Sequence, residues 1–257
     1  MEITAFGVAL PALLLGGYAV LLRRRRATWP WWRALCWVAG VAVLAWALLG
    51  APAAYRAATP WWGALGIGLV AAVVPLGLAL GDPVALWERG RGPVPGLRGR
   101  FAQALMFPLV ASALSAAVLT IAFTSEWYAA ARRSPVPWDL LVLAALSCGV
   151  LVNLPLLSED LLPPWCGPGL RTLFAFFDGL LDAVPGIVVM TTVERYSGGA
   201  LLAVAEAVGV PMVFAVLIQW VRSDSAEAAA VDARLDAAEV EGSFDTTPWW
   251  VKARGDG

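Results

Sequence analysis

Residues 138–157 read WDLLVLAALSCGVLVNLPLL. One carboxylate stands at the second position, and the rest is almost wholly apolar. Wound as an α-helix at about 1.5 Å per residue, the stretch is about 30 Å long, the thickness of a bilayer's hydrocarbon core. It has no polar side to turn toward water, so its natural solvent is lipid. Runs of this kind recur along the chain. Hydrophobic residues make up 60% of the 257 and charged ones only 14%, too few for a soluble domain to cover itself with polar surface. The sequence therefore specifies an all-α polytopic membrane protein.

Apolar windows between charge and Pro/Gly clusters give seven expected spans, at residues 3–22, 33–50, 61–81, 101–123, 138–157, 172–193 and 200–221. Residues 1–222 then form a seven-helix transmembrane domain, and 223–257 a cytoplasmic tail that starts as an alanine-rich acidic helix and ends disordered. The tail's Trp249 and Trp250 are placed to touch the membrane surface. With the N-terminus outside, fourteen of the 18 basic residues fall on the cytoplasmic side, Arg23 to Arg26 and Arg33 among them. Arg56, Arg132, Arg133 and Arg195 stay outside. That bias sets an N-out, C-in orientation. The N-terminus lacks the positive charge of a signal peptide's first segment. Nine tryptophans, including Trp29, Trp31, Trp32, Trp61, Trp62, Trp138 and Trp165, fall near span ends, where an indole suits the headgroup level.

Six spans carry a proline: Pro11, Pro75, Pro108, Pro155, Pro185 and Pro211. Each removes a backbone hydrogen bond and is expected to kink its helix unless it sits in the first turn. Pro185 and Pro211 are expected at similar depth, which would allow a shared cavity.

Within the spans the costly residues are carboxylates, about 2.5–3.5 kcal/mol each near the bilayer centre. Residues 176–186 read FFDGLLDAVPG and place Asp178 and Asp182 one turn apart on one helix face. That face is expected to look into the bundle, with Asn153 beside Asp178 and Met212 beside Asp182. Glu206 is expected nearer the outer surface, within reach of Arg195 or water. These four polar residues, Asp178, Asp182, Glu206 and Asn153, are the candidate intramembrane site. A packing role for the aspartates stands against a proton, cation or ligand site.

Several functions are excluded by chemistry. The only lysine is Lys252 in the tail, so no intramembrane Schiff base can form. With no histidine and no cysteine cluster, an intramembrane metalloenzyme is unsupported. The basic loop GRGPVPGLRGR at 90–100 is no phosphate cradle. No catalytic residues are expected, and the chain is read as non-enzymatic. The three cysteines, Cys36, Cys148 and Cys166, lack the spacing of a disulfide framework.

The segments VVPLGLALGDPVAL (73–86), FTSEWYAAARRSPVPWDLLVLAALSCGVLVNLPLL (123–157) and VGVPMVFAVLIQWVRSDSAEAAAVDARLD (208–236) resemble the seven-helix CtaG-like cytochrome c oxidase assembly proteins of bacterial plasma membranes. The resemblance rests on span order, proline positions, the outer loop before span five and the final helix that runs into a charged tail. It implies a plasma-membrane accessory factor in the maturation of a haem–copper oxidase, with an oxidase subunit and the lipid bilayer as partners and no nucleic acid. It also implies copper handling through an HxxxH pair on span three and further histidines at the start of span five. This chain departs there: the corresponding positions hold Gly63 and Ile67, and span five starts Trp138, Asp139, Leu140. A copper site would have to come from Met106, Met190, Met212, Cys36 or Cys148, which lie on five spans. Thioether and thiolate suit Cu(I), but buried Met and Cys are usually packing, so no cofactor is expected. Two other readings stand beside the assembly factor. One is a small proton- or ion-coupled transporter or channel using Asp178, Asp182 and Glu206, and the other a structural membrane subunit.

Overall fold

The computed structural model describes residues 4–23, 29–97, 99–157 and 168–240. Twelve helices follow one another in these residues: α1 (Ala5–Arg23), α2 (Trp31–Leu49), α3 (Ala51–Tyr55), α4 (Pro60–Ala71), α5 (Val73–Leu80), α6 (Pro83–Arg91), α7 (Arg100–Leu105), α8 (Pro108–Thr124), α9 (Glu126–Arg133), α10 (Pro135–Leu157), α11 (Pro168–Thr192) and α12 (Arg195–Val240). No strand occurs among the described residues. Arg24 to Arg26, Trp165, Cys166 and the tail from 241, with Trp249, Trp250 and Lys252, lie outside them.

Proline sets many of the boundaries. Helices α4, α6, α8, α10 and α11 all begin on one, where its missing N–H is one of the unpaired donors anyway and its fixed φ suits the first turn. Pro108 is therefore not the kink expected inside span four: it starts α8 afresh after the one-and-a-half-turn α7. Pro75 does break its span. The helix parts at Ala72, whose φ and ψ are −113° and −60°. Pro75 has no N–H for the Ala71 carbonyl four residues back. That oxygen instead faces Gly149 of α10, where any Cβ would overlap it and the Pro75 ring. Pro11, Pro155, Pro185 and Pro211 stay inside their helices.

Among the described residues, five helical segments are long and apolar enough to cross a membrane: Ala5–Arg23, Trp31–Tyr55, Pro60–Arg89, Pro135–Leu157 and Thr172–Thr192. A sixth arises if α8 and α9, bent by 71° at Ser125, count as one. The fourth expected span is cut short by Pro108, which leaves a 17-residue α8, and the last apolar run is the first half of the 46-residue α12, where the side chains of residues 212, 215, 216 and 219 fall outside the described residues.

The core lies where α2, α4, α5 and α10 meet, and Leu44, Ile67, Val74, Leu141 and Val142 there are fully buried. Helices in lipid gain no hydrophobic drive from association, so close packing has to hold them, and small residues permit it. Gly40 of α2 meets Gly77 of α5 backbone to backbone. At one end of the bundle Tyr18, Trp29, Arg33 and Asp82 lock together. Trp29 donates to the Tyr18 hydroxyl at 3.1 Å, and Tyr18 donates to the Gly81 carbonyl at 2.8 Å. Arg33 pairs with Asp82, which also caps α6 through Ala85 N–H. Trp29 and Trp138 are thus core residues, 7% and 2% exposed, and not headgroup anchors, whereas Trp31 at 76% does face outward.

Candidate functional site

Helices α11 and α12 form an antiparallel pair whose register fixes the relative depth of the candidate residues they carry. Gly209 lies against Gly179 and Leu202 against Gly186, while Gly198 packs on the backbone of Met190. One chain steps up as the other steps down, residue for residue. Asp182 is therefore level with Glu206, Phe176 with Met212, and Phe177 with Pro211. Three expectations change. Pro185 and Pro211 are eight residues apart in depth, about 12 Å, so they frame no common cavity. Met212 lies near the level of Phe176, not of Asp182, and its side chain falls outside the described residues. Glu206 shares the depth of Asp182 and is eleven residues, about 16 Å, from Arg195.

Asp178 is 6% exposed. Its partner comes from α8, where the Ser112 hydroxyl, itself fully buried, lies 2.6 Å from Oδ1 and 2.8 Å from the Pro108 carbonyl. Asn153 is buried too, but it turns onto its own helix and donates to the Gly149 carbonyl at 3.0 Å. Its Oδ1 has no partner among the described residues. One turn along α11 from Asp178, Asp182 borders a cavity of about 20 Å³, with Ser115 of α8, Ala71 and Ala72 at the helix break, and Ala205 of α12. A space of that size holds a single water. The two serines sit three residues apart and the two aspartates four, on helices packed side by side, so each aspartate has a serine at its own level. The result is a polar column in the middle of the bundle. Both aspartates turn inward, as expected, and Glu206 turns outward instead, into a groove on the far side of the α11–α12 pair.

Ser112 and Ser115 were not singled out by sequence reasoning. The signal available was their i,i+3 spacing on one face of an apolar helix, but a serine in a transmembrane helix can satisfy itself on the carbonyl four residues back, as Ser112 also does here.

The positions that could have held copper ligands are closed. A Cβ at Gly63 would come within 2.7 Å of the Tyr128 hydroxyl oxygen, which fills that space and donates to the Pro60 carbonyl at 2.5 Å. Ile67 is fully buried in the core. Trp138 is buried under the Arg56 guanidinium at 5.0 Å. The remaining sulfur donors do not converge. Cys148 and Met106 are buried on α10 and at the end of α7, and Cys36 is half-buried on α2. Met190 and Met212 are separated in depth by fourteen residues, about 21 Å. No group of three His, Cys, Asp or Glu residues that could hold a metal occurs among the described residues. Among the described residues these donors do not come together as a set that fits a resident copper ion.

At the end of the bundle where α4 begins and α11 finishes, a cleft of about 370 Å³ opens between Tyr128, Arg132, Glu126, Glu194 and Ser197. Its charged groups are largely committed to structure. Glu194 caps α12 through the N–H groups of Tyr196 and Ser197, and Arg132 donates to the carbonyls of Arg56 and Ala57.

Compared with protein families, residues 15–223 match the family described as cytochrome c oxidase caa3 assembly factor (Caa3_CtaG). The match runs from within α1 into the second half of α12. Comparison with curated proteins and with solved structures returns no match.

Proposed function

Because the chain belongs to the cytochrome c oxidase caa3 assembly factor family, we propose that it is a non-enzymatic, multi-pass accessory factor of the plasma membrane that assists maturation of a haem–copper oxidase without holding copper itself. The family match over most of the chain carries this reading. The filled positions at Gly63 and Ile67 support its second half. In this reading α7–α8 supplies the fourth span and the first half of α12 the seventh, with the N-terminus outside and the C-terminus in the cytoplasm, as the basic residues require. The polar column of Asp178, Asp182, Ser112 and Ser115 is its working element, since two carboxylates are retained in the middle of an apolar bundle at a cost.

The test is deletion of the gene in its host, with oxidase activity and membrane copper scored together, with and without added copper. Oxidase activity should fall, and copper supplementation should not restore it. Complementation with Asp182→Asn, at normal abundance in the membrane, should fail where the wild-type gene succeeds. Normal oxidase activity in the deletion strain would end the assembly reading. A transporter using Asp178, Asp182 and Glu206 along one path is supported less well, because Glu206 faces away from the other two.

A further inference from the structure

On the side of the α11–α12 pair turned away from the bundle lies a groove of about 240 Å³. Its floor is Gly179, Ala205 and Gly209, and its sides carry Phe176, Leu180 and Phe214. The three side residues are 50%, 53% and 59% exposed. A methyl group added at Gly179 would meet nothing within 4 Å. Glu206 opens into this groove. Its depth follows from the register: it is level with Asp182, the midpoint of the apolar segment Thr172–Thr192. Its neighbours one turn away on α12, Leu202, Ala203, Gly209 and Val210, have no side-chain donor, and neither do Gly179 and Leu180 across the groove. Among the described residues nothing pairs with its carboxylate.

An exposed carboxylate at mid-bilayer, in a trough floored by small residues, is half of an interface. Small residues let another helix backbone approach closely, and the acid calls for a cation at the same depth. A second copy of this chain cannot supply one, because its lysine is Lys252 in the tail and its arginines flank the spans. Lipid chains could fill the trough but not answer the charge. We propose that the α11–α12 groove seats a transmembrane helix of a different membrane protein, one that presents a lysine or arginine near mid-bilayer to Glu206. This follows from the groove and its charge, whichever protein supplies the helix, and goes beyond the assembly role.

The test uses the full chain in its native membrane, with the photo-crosslinking residue p-benzoylphenylalanine replacing Phe176 or Phe214, and Leu13 or Val20 of α1 as controls that are also exposed. The groove positions should give one defined adduct that the α1 positions do not. Mass spectrometry should place its crosslinked peptide in a transmembrane helix with Lys or Arg within a turn of its midpoint. Glu206→Gln should cut the adduct at least five-fold. Glu206→Lys should abolish it, and reversing the partner's cation to Glu should bring it back, which decides the matter even if Glu206→Gln accumulates poorly. An adduct with a second copy, adducts with lipid alone, or a yield indifferent to both Glu206 substitutions would overturn the proposal. If the adduct forms but oxidase activity survives deletion, the assembly reading fails and the docking site stands. If activity is lost on deletion but no such adduct forms, the reverse holds.

Discussion

The Ser112 hydroxyl has one proton and two acceptors within reach, the Asp178 carboxyl and the Pro108 carbonyl. Removing it leaves a buried carboxyl without its hydrogen bond. Ser112→Ala should therefore destabilise the folded protein by about 1–3 kcal/mol, read as a lower unfolding midpoint in detergent. Asp178→Asn keeps a partner for Ser112 and should lose much less. Equal midpoints for Ser112→Ala and wild type would show that Asp178 does not depend on this bond. Gly149 makes a second case: Gly149→Ala puts a methyl group into the Ala71 carbonyl and the Pro75 ring. Backbone has to move to admit it, so a loss of about 1–3 kcal/mol is expected, measured in the same assay. At this scale the sequence was legible where a residue was expensive. Asp178 and Asp182 could be picked out because an acid in lipid needs a reason, and their spacing gave their common face. Their serine partners could not, because a helix tolerates serine at little cost. Asn153 misled because equal depth on two helices does not fix which way an amide turns.

Among the elements, the prolines were legible as positions but not as roles. A proline seven residues into an apolar run reads as a kink, yet Pro108 opens a helix because residues 106 and 107 leave the helical path just before it. Pro75 breaks its helix because Gly149 lets α10 come close enough to cover the freed Ala71 carbonyl, a contact 78 residues distant in sequence. The depth of α12 against α11 was misjudged for a related reason. Span ends read from charges are uncertain by several residues, whereas the register is set by backbone contact at Gly186 and Gly198. Gly198→Leu should thus force the two helices apart and unseat the level of Asp182 against Glu206. A cysteine pair placed at Gly179 and Gly209 should cross-link readily in an otherwise wild-type background and poorly in Gly198→Leu. Equal cross-linking in both would mean that Gly198 does not hold the register.

For the whole molecule, fold class was the most legible property, because composition alone leaves an all-α chain of this apolarity no solvent but lipid. The proposed orientation is checked by reporter fusions. Those after Arg26, within residues 90–100 and at the C-terminus should report the cytoplasm, and one at Ala130 the outside. An inverted pattern would overturn the charge argument. The dispersed sulfur donors predict that the purified protein will not keep stoichiometric Cu(I) against a modest chelator. One tightly held copper, lost when Met190 and Met212 are replaced, would sink that prediction. The last helix has a consequence of another kind. At 46 residues α12 is about 69 Å long, more than twice the hydrocarbon thickness, and its described side chains from Asp224 to Asp236 are exposed on every side. In the proposed topology it projects from the membrane as a mast, and a tilt at the Gly186–Gly198 contact would be magnified at its far end into a swing.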